Sequence, residues 1–475
     1  MDLNNTSTRK EHDLLGDKEI PADCYYGIQT SRAIENFNIS RVKLFLFPEL
    51  INALAIVKAA CAKANEKLGL LDKTKANAIV KACEEIMAGK LHSSFAVDMV
   101  QGGAGTSTNM NANEVIANRA IELMGGVKGD YKLCDSHNHV NMSQSTNDAY
   151  PTAVKIALIK SNVALIDCLN DLVAAFRKKE KEFAAIIKMG RTQLQDAVPM
   201  TLGQTFGTFA QSIEDEIENL QREAKQFLEV NIGGTAIGTG INADPDFGKT
   251  CVTYLKEISG YDVFLAPDLI EETQDTGAYV SYSSAMKRTA VKLSKICNDL
   301  RLLSSGPRAG IYEITLPAMQ PGSSIMPGKV NPVIPEVVNQ IAFKIIGNDL
   351  TVTLAAEAGQ LELNVMEPII VYSIFESTEM LKNGIRSLIK NCIVGIKANK
   401  QICREMVEKS IGLVTALNPY IGYDASTQIA KEALENNKSV YELVLEKKLL
   451  TKEKLDSILS PENMTKPHKI VNFPS

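Results

Sequence analysis

Residues 153–183 contain neither Gly nor Pro, and their apolar side chains recur at helical spacing: Val154, Ile156, Leu158, Ile159, Val163, Leu165, Ile166, Leu169, Leu172, Val173 and Phe176. At 1.5 Å rise per residue such a helix is about 45 Å long, far above the usual three turns. Comparable stretches run over 203–230, 278–303, 334–358 and 368–397, broken only by isolated Gly or Pro. Five long helices with wide apolar faces cannot each be covered within one chain. The spacing therefore predicts a central helical bundle shared between subunits.

The flanks have a different texture. Shorter helices are expected over 49–68 and 72–88 among polar loops, and over 425–435 and 439–448 before Pro461 and Pro467. Strand signals are few and short, as at 262–265. The expected class is mainly α, in three parts: an N-terminal, mostly helical domain 1–145, a central long-helix domain 146–402 and a small C-terminal helical domain 403–475. With 475 residues, 45% of them apolar and 23% charged, the chain has the composition of an ordinary folded domain assembly.

Lys plus Arg number 51 against 56 Asp plus Glu, and the cations form no block. A nucleic-acid partner is not expected. Met1 to Asp13 mixes polar and acidic residues without an apolar core, and no apolar run is long enough to span a bilayer, so neither a secretory signal nor a membrane partner is expected. Nine cysteines without CxxC pairs read as reduced thiols, and the sequons at Asn4 and Asn5 as idle. The expected compartment is the cytoplasm.

Three segments break the helical logic with small hydroxyl and amide side chains. One is Gly105-Thr106-Ser107-Thr108-Asn109-Met110-Asn111. Another is Ser143-Gln144-Ser145-Thr146-Asn147-Asp148, followed some forty residues on by Gly190-Arg191-Thr192-Gln193. The third is Gly322-Ser323-Ser324-Ile325-Met326-Pro327-Gly328-Lys329-Val330-Asn331-Pro332. Any one of them has an ordinary use in helix caps and turns. Together they offer the hydroxyls, amides and single Lys that suit a dicarboxylate. The third is no P-loop, because five residues separate Gly322 from Gly328 and Val330 follows Lys329. Gly238-Thr239-Gly240 has Ala243 where a third dinucleotide-binding glycine belongs. His12, His92, His137, His139 and His468 show no metal-ligand spacing, so no metal site is expected.

The 322–332 segment resembles the signature of the fumarase/aspartase superfamily, and the other blocks fall in its order and spacing. The resemblance covers nearly the whole chain. Asp13-Leu14-Leu15-Gly16, the run from Gln144 to Thr152, that from Gly190 to Pro199 and that from Ala355 to Pro368 are similar to the aspartate ammonia-lyase family in particular. This implies reversible anti-elimination of ammonia from L-aspartate to give fumarate, in a homotetramer whose active sites draw each block from a different subunit. By motif, Ser323 is the base for the Cβ proton, on a mobile loop. Lys329, Asn331 and Thr192 are assigned to the α-carboxylate, Thr106, Ser145 and Thr146 to the β-carboxylate, and Asn147 and Gln193 to the neighbourhood of the amino group.

The chemistry agrees with that assignment. Deprotonation beside a carboxylate drives charge into it as an aci-anion, which calls for many fixed donors. A serine base needs activation by nearby positive charge and loop amides. Eliminating water requires a group to protonate the departing hydroxide, and fumarases have a His after the Thr. An ammonium group already carries its protons, so the non-titrating Gln193 suffices. No cofactor is expected, and whether a divalent cation activates the chain is left open by the sequence. The alternatives are a class II fumarase, or a structural tetramer that has lost its chemistry. The latter would have replaced Ser323 or Lys329, and both are present.

Overall fold

The computed structural model describes residues 7–467, so Asn4, Asn5 and His468 lie outside the described residues. In chain order the elements are β1 (Thr8–Asp13), β2 (Gly16–Pro21), α1 (Ile28–Asn36), α2 (Pro48–Lys67), α3 (Lys73–Met87), α4 (Thr106–Leu123) and α5 (Thr146–Glu182). Next come β3 (Ile187–Thr192), β4 (Gln195–Thr201), α6 (Leu202–Ala224), β5 (Glu229–Val230), α7 (Phe247–Ser259), β6 (Phe264–Leu265), α8 (Leu269–Gln274) and α9 (Gly277–Leu303). The chain continues with β7 (Ile314–Thr315), α10 (Val333–Glu357), α11 (Glu367–Asn391), β8 (Lys397–Ala398), α12 (Lys400–Lys409), α13 (Leu413–Ile421), α14 (Tyr423–Asn436), α15 (Val440–Glu446), α16 (Lys452–Ile458) and α17 (Pro461–Met464). The strands pair only two by two among the described residues. The mainly α class is as expected, and α5, α6, α9, α10 and α11 are the five long helices.

Three of their ends differ from the sequence reading, one of them in α6, which stops at Ala224 because 225–228 tighten into a 3-10 turn and 229–230 form β5. Helix α5 begins at Thr146, with Pro151 inside it, rather than after the proline. Pro151 has no N–H for the carbonyl of Asn147, four residues back. The Asn231 side chain supplies that donor instead, at 2.9 Å. Helix α11 stops at Asn391 because 397–398 turn aside to pair with β7.

The residues group into two compact units. The first comprises the described residues up to Ile166 together with Glu218–Arg288 and Phe343–Lys382; the second comprises Asp167–Ile217, Thr289–Ala342 and the chain from Asn383 onward. Both draw on all five long helices, within which the unit boundaries fall.

In the first unit α2 is buried on nearly all sides, with Leu50, Ile51, Leu54, Val57 and Cys61 at 0–1% exposure, and packs on α3 and α7. Asp72 caps α3 by accepting from the N–H groups of Thr74 and Lys75. Helix α1 has no cap of its own. Its first amides, from Gly27, Gln29 and Thr30, donate to the Glu114 carboxylate of α4 at 2.8, 2.8 and 3.1 Å. Burial still outweighs those donors and lifts Glu114 to about 7.

In the second unit β3 and β4 form a hairpin set into the small C-terminal core. Met189 of β3 packs with Leu417, Ile429, Leu443, Val444 and Leu455 of α13–α16. No helix among the described residues is long and apolar enough to cross a membrane. All nine cysteines are free thiols, and all but Cys24 are buried.

Candidate active site

In the first unit the N-terminus of α5 gathers Ser145, Thr146 and Asn147, all half-buried. The run Ser145-Thr146-Asn147-Asp148 folds as a capping box. The Ser145 N–H donates to Asp148 Oδ1 at 2.9 Å, and Ser145 Oγ accepts the Asn147 N–H at 3.2 Å. Asn109 of α4 donates to Thr146 Oγ1 at 3.1 Å. Each of these two hydroxyls is thus held as an acceptor from behind, which leaves its own proton for an oxyanion in front. Behind them Asn141 Oδ1 accepts from Lys58 Nζ, Asn109 and Asn113 at 2.9, 3.2 and 3.1 Å. Lys58 also donates to Gln144 Oε1 at 2.8 Å, and full burial lowers its ammonium to about 8. Thr106, the first residue of α4, is exposed and turns its hydroxyl proton onto the Gly103 carbonyl at 2.7 Å. To hold a carboxylate it must release that bond.

The second unit carries the remaining candidates. Thr192 ends β3, and Gln193 and Leu194 form the two-residue turn to β4 with φ of 55° and 63°. Both central residues are left-handed, as in a type I′ turn, although neither is Gly or Asn. The tip with Thr192 and Gln193 is exposed. Its root is not. Arg191 Nη1 donates to Glu313 Oε1 at 2.7 Å, Lys188 Nζ lies 3.2 Å from Glu313 Oε2, and the Glu313 side chain has 0% exposure. Ser410 Oγ donates to Asp196 Oδ2 at 2.9 Å on the other strand.

Ser323, Lys329 and Asn331 belong to one closed loop of the same unit. The Gly322 N–H donates to the Lys329 carbonyl at 2.7 Å, and Asn331 Nδ2 donates to the Gly322 carbonyl at 2.8 Å. A Cβ at Gly322 would meet the Lys329 carbonyl oxygen at 2.7 Å, so this crossing requires glycine. Ser323 Oγ accepts the N–H groups of Ile325 and Met326 at 3.2 and 3.0 Å. Lys329 is exposed beside Ile325, Met326 and Val330, whose exposures are 83%, 48% and 49%. Asn331 has its amide committed to closing the loop.

The 231–240 segment carries no site signal in the sequence beyond its incomplete dinucleotide motif, yet it packs directly under the 145–147 turn. Asn147 Nδ2 donates to the Ala236 carbonyl at 2.8 Å, and the Asp148 carboxylate accepts from Gly233 and Thr235. Its glycines serve close packing: at Gly238, φ +91°, a Cβ would lie 2.3 Å from the Leu269 carbonyl oxygen. The sequence signal that could have found this segment is Pro151, which leaves the Asn147 carbonyl without its helical donor and so calls for a partner from elsewhere. Among the described residues no group of three His, Cys, Asp or Glu side chains is arranged to hold a metal ion. His137 and His139 instead lie within a one-turn π-helix, Ser136–Val140, capped by Asp135.

The profile of a family described as lyase matches residues 16–347, and that of the fumarase C C-terminus matches 413–466. Aspartate ammonia-lyase of Pseudomonas aeruginosa is 60% identical over 465 residues, covering 98% of each chain. The Escherichia coli enzyme of that name is 54% identical over 464 residues, or 98% of this chain and 97% of the other. Among solved structures, fumarate lyase:delta crystallin from Brucella melitensis superposes with a TM-score of 0.95 at 53% identity, covering 97% of this chain and 100% of that one. Class II fumarase from Schistosoma mansoni gives a TM-score of 0.91 at 35% identity, covering 98% and 100%. The signature loop, the long-helix fold and the near-complete coverage agree, and the chain belongs to the lyase family of the fumarase/aspartase superfamily, among the aspartate ammonia-lyases.

Proposed function

We propose that this chain catalyses the reversible anti-elimination of ammonia from L-aspartate to give fumarate. Its full-length relatives at 54–60% identity bear the name of that carbon–nitrogen lyase. The observation that carries the mechanism is the Ser323 hydroxyl, whose oxygen sits on two loop amides. Donors onto Oγ stabilise the alkoxide over the alcohol and so make serine a competent base.

Oγ takes the Cβ proton, and the C–H electron pair flows into the β-carboxylate as an aci-anion. Ser145 and Thr146 present protons there, with Thr106 joining once it leaves Gly103. The pair then returns to form the Cα–Cβ double bond while the C–N bond breaks, and NH₃ departs with its electron pair. Thr192, the Lys329 ammonium and the second N–H of the Asn331 amide, whose first closes the loop onto Gly322, hold the α-carboxylate, while Asn147 and Gln193 line the path of the amine. Proton, electron pair and leaving group are all handled by side chains, so the reaction as written needs no resident cofactor.

The active unit is a homotetramer in the cytoplasm, with each site assembled from blocks of different subunits. In support, α10 leaves a stripe of Phe343, Ile346, Leu350 and Leu354 exposed at 64%, 38%, 60% and 59%, spaced for burial against another helix. The deciding assay follows fumarate absorbance with L-aspartate and then L-malate. Faster fumarate formation from L-malate would replace this reading with a fumarase.

A further inference from the structure

We propose that Asp148 is a positioning residue that locks the carboxylate-holding turn 145–147 onto the 231–236 segment, making that segment an unrecognised support of the substrate site. The proposal rests on the reading of Ser145 and Thr146 as ligands of the substrate's β-carboxylate. Asp148 has 0% exposure and spends its two oxygens differently. Oδ1 accepts from Ser145, within its own turn. Oδ2 accepts from the Gly233 and Thr235 amides, both at 3.0 Å. Helix capping requires only the first.

The cross-link is reinforced on both sides. Asn231 Nδ2 fills the carbonyl of Asn147 that Pro151 leaves open, and Asn147 Nδ2 donates to Ala236. Thr235 is held at φ 55°, a left-handed conformation that a threonine keeps only when its surroundings fix it. The turn that presents Ser145 and Thr146 is thereby clamped from beneath by a second segment. A shift of even a fraction of an ångström there misaligns two hydroxyls at once.

Among the described residues, Lys58 of α2 and Cys251 of α7 act electrostatically on this carboxylate. Burial raises it to about 6 against the pull of three amides and Lys58. It is thus ionised at neutral pH. Below about 6 a proton enters the clamp, and one oxygen stops accepting.

The test compares Asp148→Asn and Asn231→Ala with the wild type. Succinate, an unreactive dicarboxylate, is titrated by calorimetry, and KM and kcat for L-aspartate are followed against pH. In Asp148→Asn an amide nitrogen must face one of the N–H donors. Succinate binding is expected to weaken roughly 10- to 100-fold, with KM rising in step and without the further rise in KM that the wild type is expected to show below about pH 6. Asn231→Ala is expected to move succinate affinity in the same direction by a smaller factor. Wild-type succinate affinity in folded Asp148→Asn reduces the residue to a helix cap and overturns the proposal. If that variant does not fold, unchanged affinity in Asn231→Ala overturns it. A wild type that binds succinate without releasing fumarate from L-aspartate removes the lyase reading, and the succinate comparison still decides the role of Asp148.

Discussion

Ser323 and Lys329 share one loop, and the proposed mechanism gives them unlike work that substitution separates. Ser323→Ala removes the proposed base while leaving the donors that hold the carboxylates, so kcat falls with little change in ligand affinity. The expected loss is at least the 10²–10³ or so that a single fixed catalytic donor contributes. Lys329→Ala removes the charge proposed to hold a carboxylate in ground and transition states alike, so KM is expected to rise as kcat falls. Steady-state kinetics on folded protein read both effects. Near-normal kcat in Ser323→Ala would make the two amide contacts to its Oγ a plain turn and leave the base unidentified. That these residues are candidates is legible in the sequence, because the motif 322–332 is long and specific. Their states are not. That Thr106 points its proton at Gly103, and that Asn331 spends its amide on Gly322, depends on backbone conformation alone.

At the scale of elements, the hairpin β3–β4 shows what periodicity misses. Gly190 and Pro199 interrupt it, its residues are largely polar, and its turn is Gln-Leu rather than Asn-Gly, so no strand signal emerges. What holds it is tertiary: Met189 in the C-terminal core and Glu313 under Arg191 and Lys188. The long helices were legible for the opposite reason, since their apolar spacing is local and repeated. The start of α5 is not legible because the donor replacing the missing Pro151 N–H comes from Asn231, far away in sequence. The hairpin's dependence on Glu313 yields a prediction. Glu313→Gln leaves Arg191 and Lys188 without a buried counter-charge and should cost about 3 kcal/mol of stability, read from a urea transition. Because Thr192 and Gln193 ride on that root, KM for L-aspartate should rise as well. An unchanged KM in the folded variant would mean that the tip keeps its place without the ion pair.

The whole molecule poses a question of assembly. Thr106 and the 145–147 turn belong to the first compact unit, while Thr192, Gln193 and the 322–331 loop belong to the second. The exposed stripe of α10, from Phe343 to Leu354, is too apolar to be left in water. In the proposed homotetramer, a helix presenting Phe343, Ile346, Leu350 and Leu354 at successive turns would be covered by a helix of another copy. If the sites are composite, two dead proteins can complement each other. Thr192→Ala damages the hairpin contribution and Ser323→Ala the loop contribution, each in every site of its own homotetramer. In a mixed tetramer some sites receive an intact hairpin from one parent and an intact loop from the other. Subunit exchange under mild denaturant, followed by dilution, should therefore restore fumarate formation to a fraction of the wild-type rate, with the fraction set by the mixing ratio. Each parent treated alone remains inactive. If tetramers verified as mixed by mass show no recovery, hairpin and loop serve the same site from one chain, and the stripe on α10 is an interface that joins complete subunits.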